Sequence, residues 1–173
     1  MAGEGVIADA LRERYLRVRN GNTPKWVFAT QVNVGTGFSL RPWFDHERDW
    51  FRDDARLLSS SRWIDAMAIN CWRTGKGERH AFEIKSSRGD LLRELNAPEK
   101  RQCAMALSTH FWFVLDVTVD HDQSEIPEDC GLMIHDSGTI RVIRAAQRRN
   151  ATPPPYAFLL SFMRRLQLEE SHS

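Results

Sequence analysis

The run FWFVLDVTV at residues 111–119 constrains the fold more than any other stretch of the chain. It is almost continuously apolar and rich in aromatic and β-branched residues, so as a strand it has no face suited to water. A strand that is apolar on both faces needs a covering layer on each side, and in an α/β protein helices supply those layers. Two segments suit the task. Residues 5–18 repeat Val6, Ala10 and Leu11 at helical spacing, with Arg12, Arg14, Arg17 and Arg19 at polar positions. Residues 156–168 place Phe158, Leu159, Phe162, Met163 and Leu166 on one side of a closing helix.

Other stretches read as partners of that strand. Residues 25–33 and 62–72 have strand composition, residues 73–77 form a hairpin-like turn, and residues 79–85 make a third strand. Residues 86–94 pass into helix with Ser87 or Asp90 as N-cap. Pro98 marks a break before a second helix over 98–107. Residues 131–134 and 139–143 are short strands across a turn at Asp136-Ser137-Gly138. Residues 40–51 set Trp43, Phe44, Trp50 and Phe51 among charges, which suits a surface element pinned by aromatics or a flap on which bases stack. The order predicts a single-domain α/β sandwich with a mixed central β-sheet flanked by helices. Residues 1–150 form the domain, and residues 151–173 are a Pro linker and a C-terminal helix packing on that same domain.

Composition narrows the class. A chain of 173 residues is most simply one domain. No apolar run approaches the ~20 residues needed to span a membrane, and the N-terminus lacks the pattern of a signal peptide, so a cytoplasmic protein without a membrane partner is expected. Cys71, Cys103 and Cys130 are odd in number and scattered, which predicts reduced thiols and no structural zinc. A net charge of +1 argues against a large, tight nucleic-acid footprint but leaves room for a local basic groove. The cluster Arg141, Arg144, Arg148 and Arg149 suits either phosphate contact or plain surface. The six histidines are dispersed, with His80 the best placed for chemistry. Ser86 and Ser87 lack the Gly-x-Ser-x-Gly context of a hydrolase nucleophile.

Chemistry points to Asp65, Glu83 and Lys85. Asp65 lies between Ile64 and Ala66, and Glu83 between Phe82 and Ile84, so each carboxylate sits on an apolar strand where burial needs compensation. Strand alternation puts Glu83 and Lys85 on one face and sends Phe82 and Ile84 to the core. Two carboxylates on adjacent strands repel, and a divalent cation relieves the repulsion. Oxygen ligands suit Mg²⁺ or Mn²⁺, and Lys85 could orient an attacking water or stabilise phosphate charge. A structural ion-pair cluster describes the same three residues equally well.

Trp63-Ile64-Asp65, the strand Phe82 to Ser87 and the helix Gly89 to Leu95 resemble the PD-(D/E)xK nuclease superfamily. More narrowly, they are similar to small MmcB-like DNA-repair proteins and their phage-encoded relatives. There, an EIK(S/V)SR.D strand–helix junction precedes a Lys-containing helix, an aromatic strand like Phe111 to Leu115, and a Pro…Gly-Leu segment like Ile126-Pro127 to Gly131-Leu132. The resemblance spans roughly residues 25–145. It implies a restriction-endonuclease-like fold and a metal-dependent DNA nuclease hydrolysing phosphodiester bonds, in DNA repair or phage and mobile-element DNA processing, with Mg²⁺ or Mn²⁺ as cofactor and DNA as partner. Carried over by position, Asp65 and Glu83 match the metal carboxylates, Ile84 the residue lending a backbone carbonyl, and Lys85 the catalytic lysine.

There are departures. Gln31 stands where relatives often carry a Glu, ahead of Thr36-Gly37-Phe38; an amide is a poor metal ligand but can hydrogen-bond a water or phosphate. The acid of the first helix is matched by Glu4 or Glu13, and Ile64 replaces the Pro before Asp65. Arg88 at the helix start, and Lys100, Arg101 and Gln102 on the next helix, are the implied nucleic-acid contacts; a solvated face is the other reading. Gln31 and the near-neutral charge favour an alternative, a nuclease-fold DNA-binding or repair-accessory protein with little or no catalysis. A homodimer is compatible with either.

Overall fold

The computed structural model describes residues 2–17, 24–34, 63–151 and 153–171. Helix α1 (Glu4–Leu16) precedes strands β1 (Trp26–Asn33), β2 (Trp63–Asn70) and β3 (Arg79–Lys85). Helix α2 (Arg88–Leu95), a 3-10 turn (Pro98–Lys100) and helix α3 (Gln102–Leu107) lead to β4 (His110–Asp116). Strands β5 (Gly131–Asp136) and β6 (Thr139–Arg144) and helix α4 (Tyr156–Glu170) complete the order. The aromatic segment 40–51 lies outside the described residues.

The strands form one six-stranded sheet in the order β1-β2-β3-β4-β5-β6. Neighbours β1/β2, β2/β3 and β5/β6 are antiparallel, while β3/β4 and β4/β5 are parallel. The sheet is therefore mixed, and a helical crossover carries the chain from β3 to β4 as a parallel pair requires. The single-domain α/β sandwich expected from the sequence is the architecture found.

Strand β4 is covered on both sides. Trp112 and Val114 join Ile7, Leu11, Phe28, Phe82 and Ile84 in a core beneath α1. Phe111, Phe113 and Leu115 join Leu91, Leu107, Phe158 and Phe162 in a core beneath the other helices. Alternation along one strand thus feeds two cores, as its apolar run required. Helix faces differ in detail from the sequence reading. Ile7, Ala8 and Leu11 are the buried residues of α1, and Val6 is 54 % exposed. On α4, Phe158 and Phe162 are buried while Met163 faces solvent; the angle at which each helix meets the sheet sets which edge of an apolar stripe is covered.

The edge strand β1 is closed off by side chains of α4. Glu169 accepts the Thr30 amide at 2.8 Å, Arg165 Nε donates to the Thr30 carbonyl at 2.8 Å, and Ser161 Oγ donates to the Asn33 carbonyl at 3.0 Å. Backbone groups that would otherwise offer an unpaired edge are satisfied. Arg12 of α1 reaches the same Glu169 at 2.7 Å, so both helical layers meet at this edge.

Local chemistry sets the ends of elements. Ser87 caps α2 by accepting the Asp90 amide. The β5–β6 turn places Ser137 and Gly138 at φ 50° and 83°, the left-handed conformations of a two-residue hairpin turn. Gly131 pairs with Trp112, and a Cβ there would stand 2.2 Å from the indole ring. Strand β4 stops at Asp116, short of Val119, because the Asp116 carboxylate turns the chain by accepting the Thr118 amide and hydroxyl.

Those bonds, together with one from the Ala2 amide, hold Asp116 down at about 2. A depressed carboxylate stabilises the fold above its unfolded pKa of about 3.9 and loses that contribution as pH falls through about 2. Asp116→Asn is therefore expected to destabilise the protein at pH 7 by about 1.5–3 kcal/mol. The gap should shrink steadily from pH 4 towards pH 2, as read by urea denaturation across that range.

Candidate metal centre

Strands β2 and β3 pair from Ile69↔Arg79 to Ala66↔Phe82 and then part. Where the ladder would continue, Asp65 Oδ2 accepts the Ile84 amide at 2.8 Å. An antiparallel strand residue sends its N–H and C=O towards the same neighbour. The Ile84 carbonyl therefore leaves on the side of Asp65, into the gap between the parting strands. Its side chain is buried beneath α1.

Lys85 reaches both carboxylates. Its Nζ lies 2.5 Å from Glu83 Oε1 and 3.8 Å from Asp65 Oδ2. The three side chains expose only 20 % (Asp65), 14 % (Glu83) and 11 % (Lys85) of their surface. This burial follows from the fold, because the face carrying Glu83 and Lys85 also carries Ala81, a core residue beneath α2, α3 and α4. The cluster sits at the rim of that second core.

The electrostatics are those of crowded acids. Burial, and then the Asp65 charge, push Glu83 up to about 8. Burial also raises Asp65, against the pull of Lys85 and the Ile84 amide. Burial works to lower Lys85, but the Glu83 and Asp65 carboxylates outweigh it and hold the ammonium above its ordinary value. Two carboxyl groups thus face one cation in a partly dehydrated setting. Among the described residues, the hydrogen bonds of this pair engage Asp65 Oδ2 and Glu83 Oε1, leaving an oxygen of each for a further partner. That donor set, two carboxylate oxygens and a strand carbonyl, fits a hard divalent ion such as Mg²⁺ or Mn²⁺.

More acids surround the trio. At the start of α1, Glu4 is raised first by burial and then by the charge of Asp65, which places the helix acid beside the site. This selects Glu4 over Glu13 as the one near Asp65. Glu94, buried in the last turn of α2, adds its charge to Glu83. The sequence reading passed over Glu94. Its signal was an acid three positions after the buried Leu91, on the stripe that faces the core.

Other candidate residues are placed differently. Gln31 is exposed at φ 47°, between the pairs Thr30↔Ala66 and Val32↔Ile64, where the ladder keeps its register. It stands opposite Asp65 along the strand, but among the described residues no hydrogen bond joins it to the trio. The left-handed backbone at Gln31 accompanies a change of face: Ala29 and Val32, three apart, share one core, as do Ile64 and Met67 across from them. Arg88 forms a two-pronged pair with Glu125 at 2.5 and 2.6 Å, which ties the start of α2 to the loop after β4. Arg101 is buried: it donates to the Glu94 carbonyl at 2.8 Å and lies over the Phe113 ring at 5.8 Å. Its guanidinium props the end of α2 against the core and does not reach outwards. Lys100 and Gln102 are exposed.

The fold and the cluster together define an α/β protein with an acid–lysine centre on a β2–β3 hairpin. No family model and no curated protein matches the chain. Among solved structures it is similar to a protein of unknown function from Silicibacter pomeroyi, at 16 % identity and a TM-score of 0.58. That match covers 99 % of this chain and 88 % of the other, and at this identity it speaks to the fold alone. No helix of the described residues is long and apolar enough to cross a membrane.

Proposed function

We propose that the protein is a divalent-metal-dependent nuclease that hydrolyses phosphodiester bonds in DNA. The observation that carries this reading is the placement of two half-buried carboxylates around one buried lysine, within a single Nζ's reach, where β2 and β3 part. In this reading Asp65 and Glu83 hold Mg²⁺ or Mn²⁺, with the Ile84 carbonyl directed to the same side. The ion supplies Lewis acidity and charge neutralisation at the scissile phosphate. The chain supplies the rest. Asp65, fixed by the Ile84 amide, sets the ligand geometry. The Lys85 ammonium orients an attacking water and faces the negative charge that builds on the phosphate. Glu4 and Glu94 deepen the negative potential, so the pocket favours a cation first and a phosphate only after it.

The sequence resemblance to PD-(D/E)xK and MmcB-like proteins supports the same reading, as does the helix–three-strand–helix–strand order around the cluster. A role in DNA repair or in phage and mobile-element DNA processing follows from that resemblance. One observation favours a second reading, a repair-accessory protein that binds DNA and metal without cutting: Gln31, at the position of a further acid, is neutral and turned to solvent.

Incubating the protein with plasmid and single-stranded DNA in Mg²⁺, Mn²⁺ or chelator separates these. Metal-dependent cleavage that disappears in Asp65→Ala is the expected result. Calorimetric Mn²⁺ binding without cleavage would favour the accessory role. Neither binding nor cleavage in the intact protein would remove both readings and leave a structural ion-pair cluster.

A further inference from the structure

At the opposite end of β3 from Lys85, a second set of ligand-type side chains converges: Glu78, His80 and His110. The topology assembles them. Glu78 and His80 stand two residues apart at the start of β3, and His110 is the direct partner of His80 across the parallel β3–β4 ladder. The two imidazole rings are 4.5 Å apart, and Glu78 Oε1 lies 3.3 Å from His80 Nε2. One ligand atom from each of the three residues lies within 4.8 Å of the others. Ligands held at ~2.0–2.1 Å around a tetrahedral ion stand about 3.3 Å from one another. The Glu78–His80 pair already has that spacing, and the remaining separation is within the reach of small side-chain rotations.

Each side chain is also held from behind, as metal ligands are. Asn70 Nδ2 donates to Glu78 Oε2 at 3.1 Å, and the Tyr15 hydroxyl lies 2.7 Å from His80 Nδ1. For His110 the bonding accommodates the ligating tautomer. Thr109 Oγ1 has a single proton, which it donates to the Arg79 carbonyl at 2.9 Å while accepting the Arg79 amide at 2.8 Å. Its 3.0 Å contact with His110 Nδ1 is then one in which the hydroxyl accepts. With its proton on Nδ1, His110 presents the Nε2 lone pair for coordination.

From this geometry we propose that Glu78, His80 and His110 bind a zinc-type divalent cation, with a fourth position open to water or a small anion. Two imidazole nitrogens and one carboxylate oxygen suit zinc and its transition-metal neighbours, unlike the all-oxygen set around Asp65. Glu78 and His110 are only half-buried, which leaves an exchangeable ligand a route from solvent. The proposal stands whether or not the protein cuts DNA.

The test uses the full chain stripped of metal, carrying Asp65→Ala so that the carboxylate pair does not compete. Titration with Co²⁺ followed by visible absorption, and with Zn²⁺ by calorimetry, is expected to show one equivalent bound, with the intense visible bands of a low-coordinate Co²⁺ site. His110→Ala should weaken binding by more than the about 10–100-fold that loss of a ligand's hydrogen-bond partner costs, and Tyr15→Phe by an amount within that range. Far-UV circular dichroism confirms that each variant is folded; should His110→Ala fail to fold, Glu78→Gln takes its place with the same expectation. Absence of Co²⁺ and Zn²⁺ binding in the Asp65→Ala protein would overturn the proposal, and so would binding that survives the folded His110→Ala or Glu78→Gln variant unchanged.

Discussion

Replacing Lys85 by alanine is expected to slow metal-dependent DNA cleavage by about 10²–10⁴-fold, the usual contribution of a positioned proton-transfer or charge-stabilising group. The same change should leave Mn²⁺ binding intact or tighter. Among the described residues Lys85 is the cation paired with Glu83 and Asp65, at 2.5 and 3.8 Å. Without it the two acids repel with nothing between them, and a divalent ion gains what the ammonium had supplied. The protein without metal should suffer accordingly. Breaking a buried ion pair by removing one partner costs about 3–5 kcal/mol, so Lys85→Ala should unfold at lower temperature in chelator. Mn²⁺ should recover more stability in the variant than in the parent. Single-turnover cleavage, calorimetry and thermal melts on one preparation give all three readings. Cleavage at the parental rate would exclude Lys85 from the chemistry. Metal binding lost along with cleavage would mean that Lys85 holds the site together and does not act within it.

The second large effect concerns the layer beneath the site. Phe82 is fully buried, one position before Glu83, with its ring centroid 5.2 Å from Tyr15 and 6.1 Å from Phe28. Phe82→Ala is expected to cost about 3–5 kcal/mol, the transfer free energy of the ring plus the cavity it leaves. Against a total stability of about 5–15 kcal/mol for a domain, that is a large share of the margin. Phe82→Leu, which keeps most of the volume, should cost roughly half as much or less. Urea denaturation measures both. A loss below about 1 kcal/mol for the alanine variant would mean that α1 does not pack on the sheet as described. Phe82 also backs the strand that presents Glu83 and Lys85, so folded Phe82→Leu protein should lose metal affinity less than it loses stability.

Much of this was written locally. The residues 79–85 alternate so that Phe82 and Ile84 enter one core while Glu83 and Lys85 take the other face, and a period of two can be read without any partner. Ser87 caps its helix, and Ser137-Gly138 turns a hairpin, because those conformations are set by the residues themselves. Other features depended on what lay across from them. Gln31 falls within a strand pattern, yet its backbone takes a left-handed φ of 47° there. Arg101 reads as a solvent-facing base, yet Phe113 and the Glu94 carbonyl receive it inside the protein. Glu94 drew no notice in the sequence, yet in the last turn of α2 its charge acts on Glu83.

The two candidate metal sets show the division most clearly. Asp65, Glu83 and Lys85 lie on consecutive antiparallel strands, and a carboxylate flanked by apolar residues already signals burial that needs a partner. Of Glu78, His80 and His110 the sequence singled out His80 alone, and the scattered cysteines suggested no structural zinc. His110 meets His80 only because a helical crossover brings β4 parallel to β3 in that register. The chain by itself determined the strand that needs two covering layers, the helices able to cover it, and the acid–lysine pattern at the centre. The tertiary structure alone decided which face each helix buries, which charges are used internally, and which distant residues become neighbours. Periodicity and capping act within a few residues of the backbone, whereas register across a crossover is settled only when the layers pack.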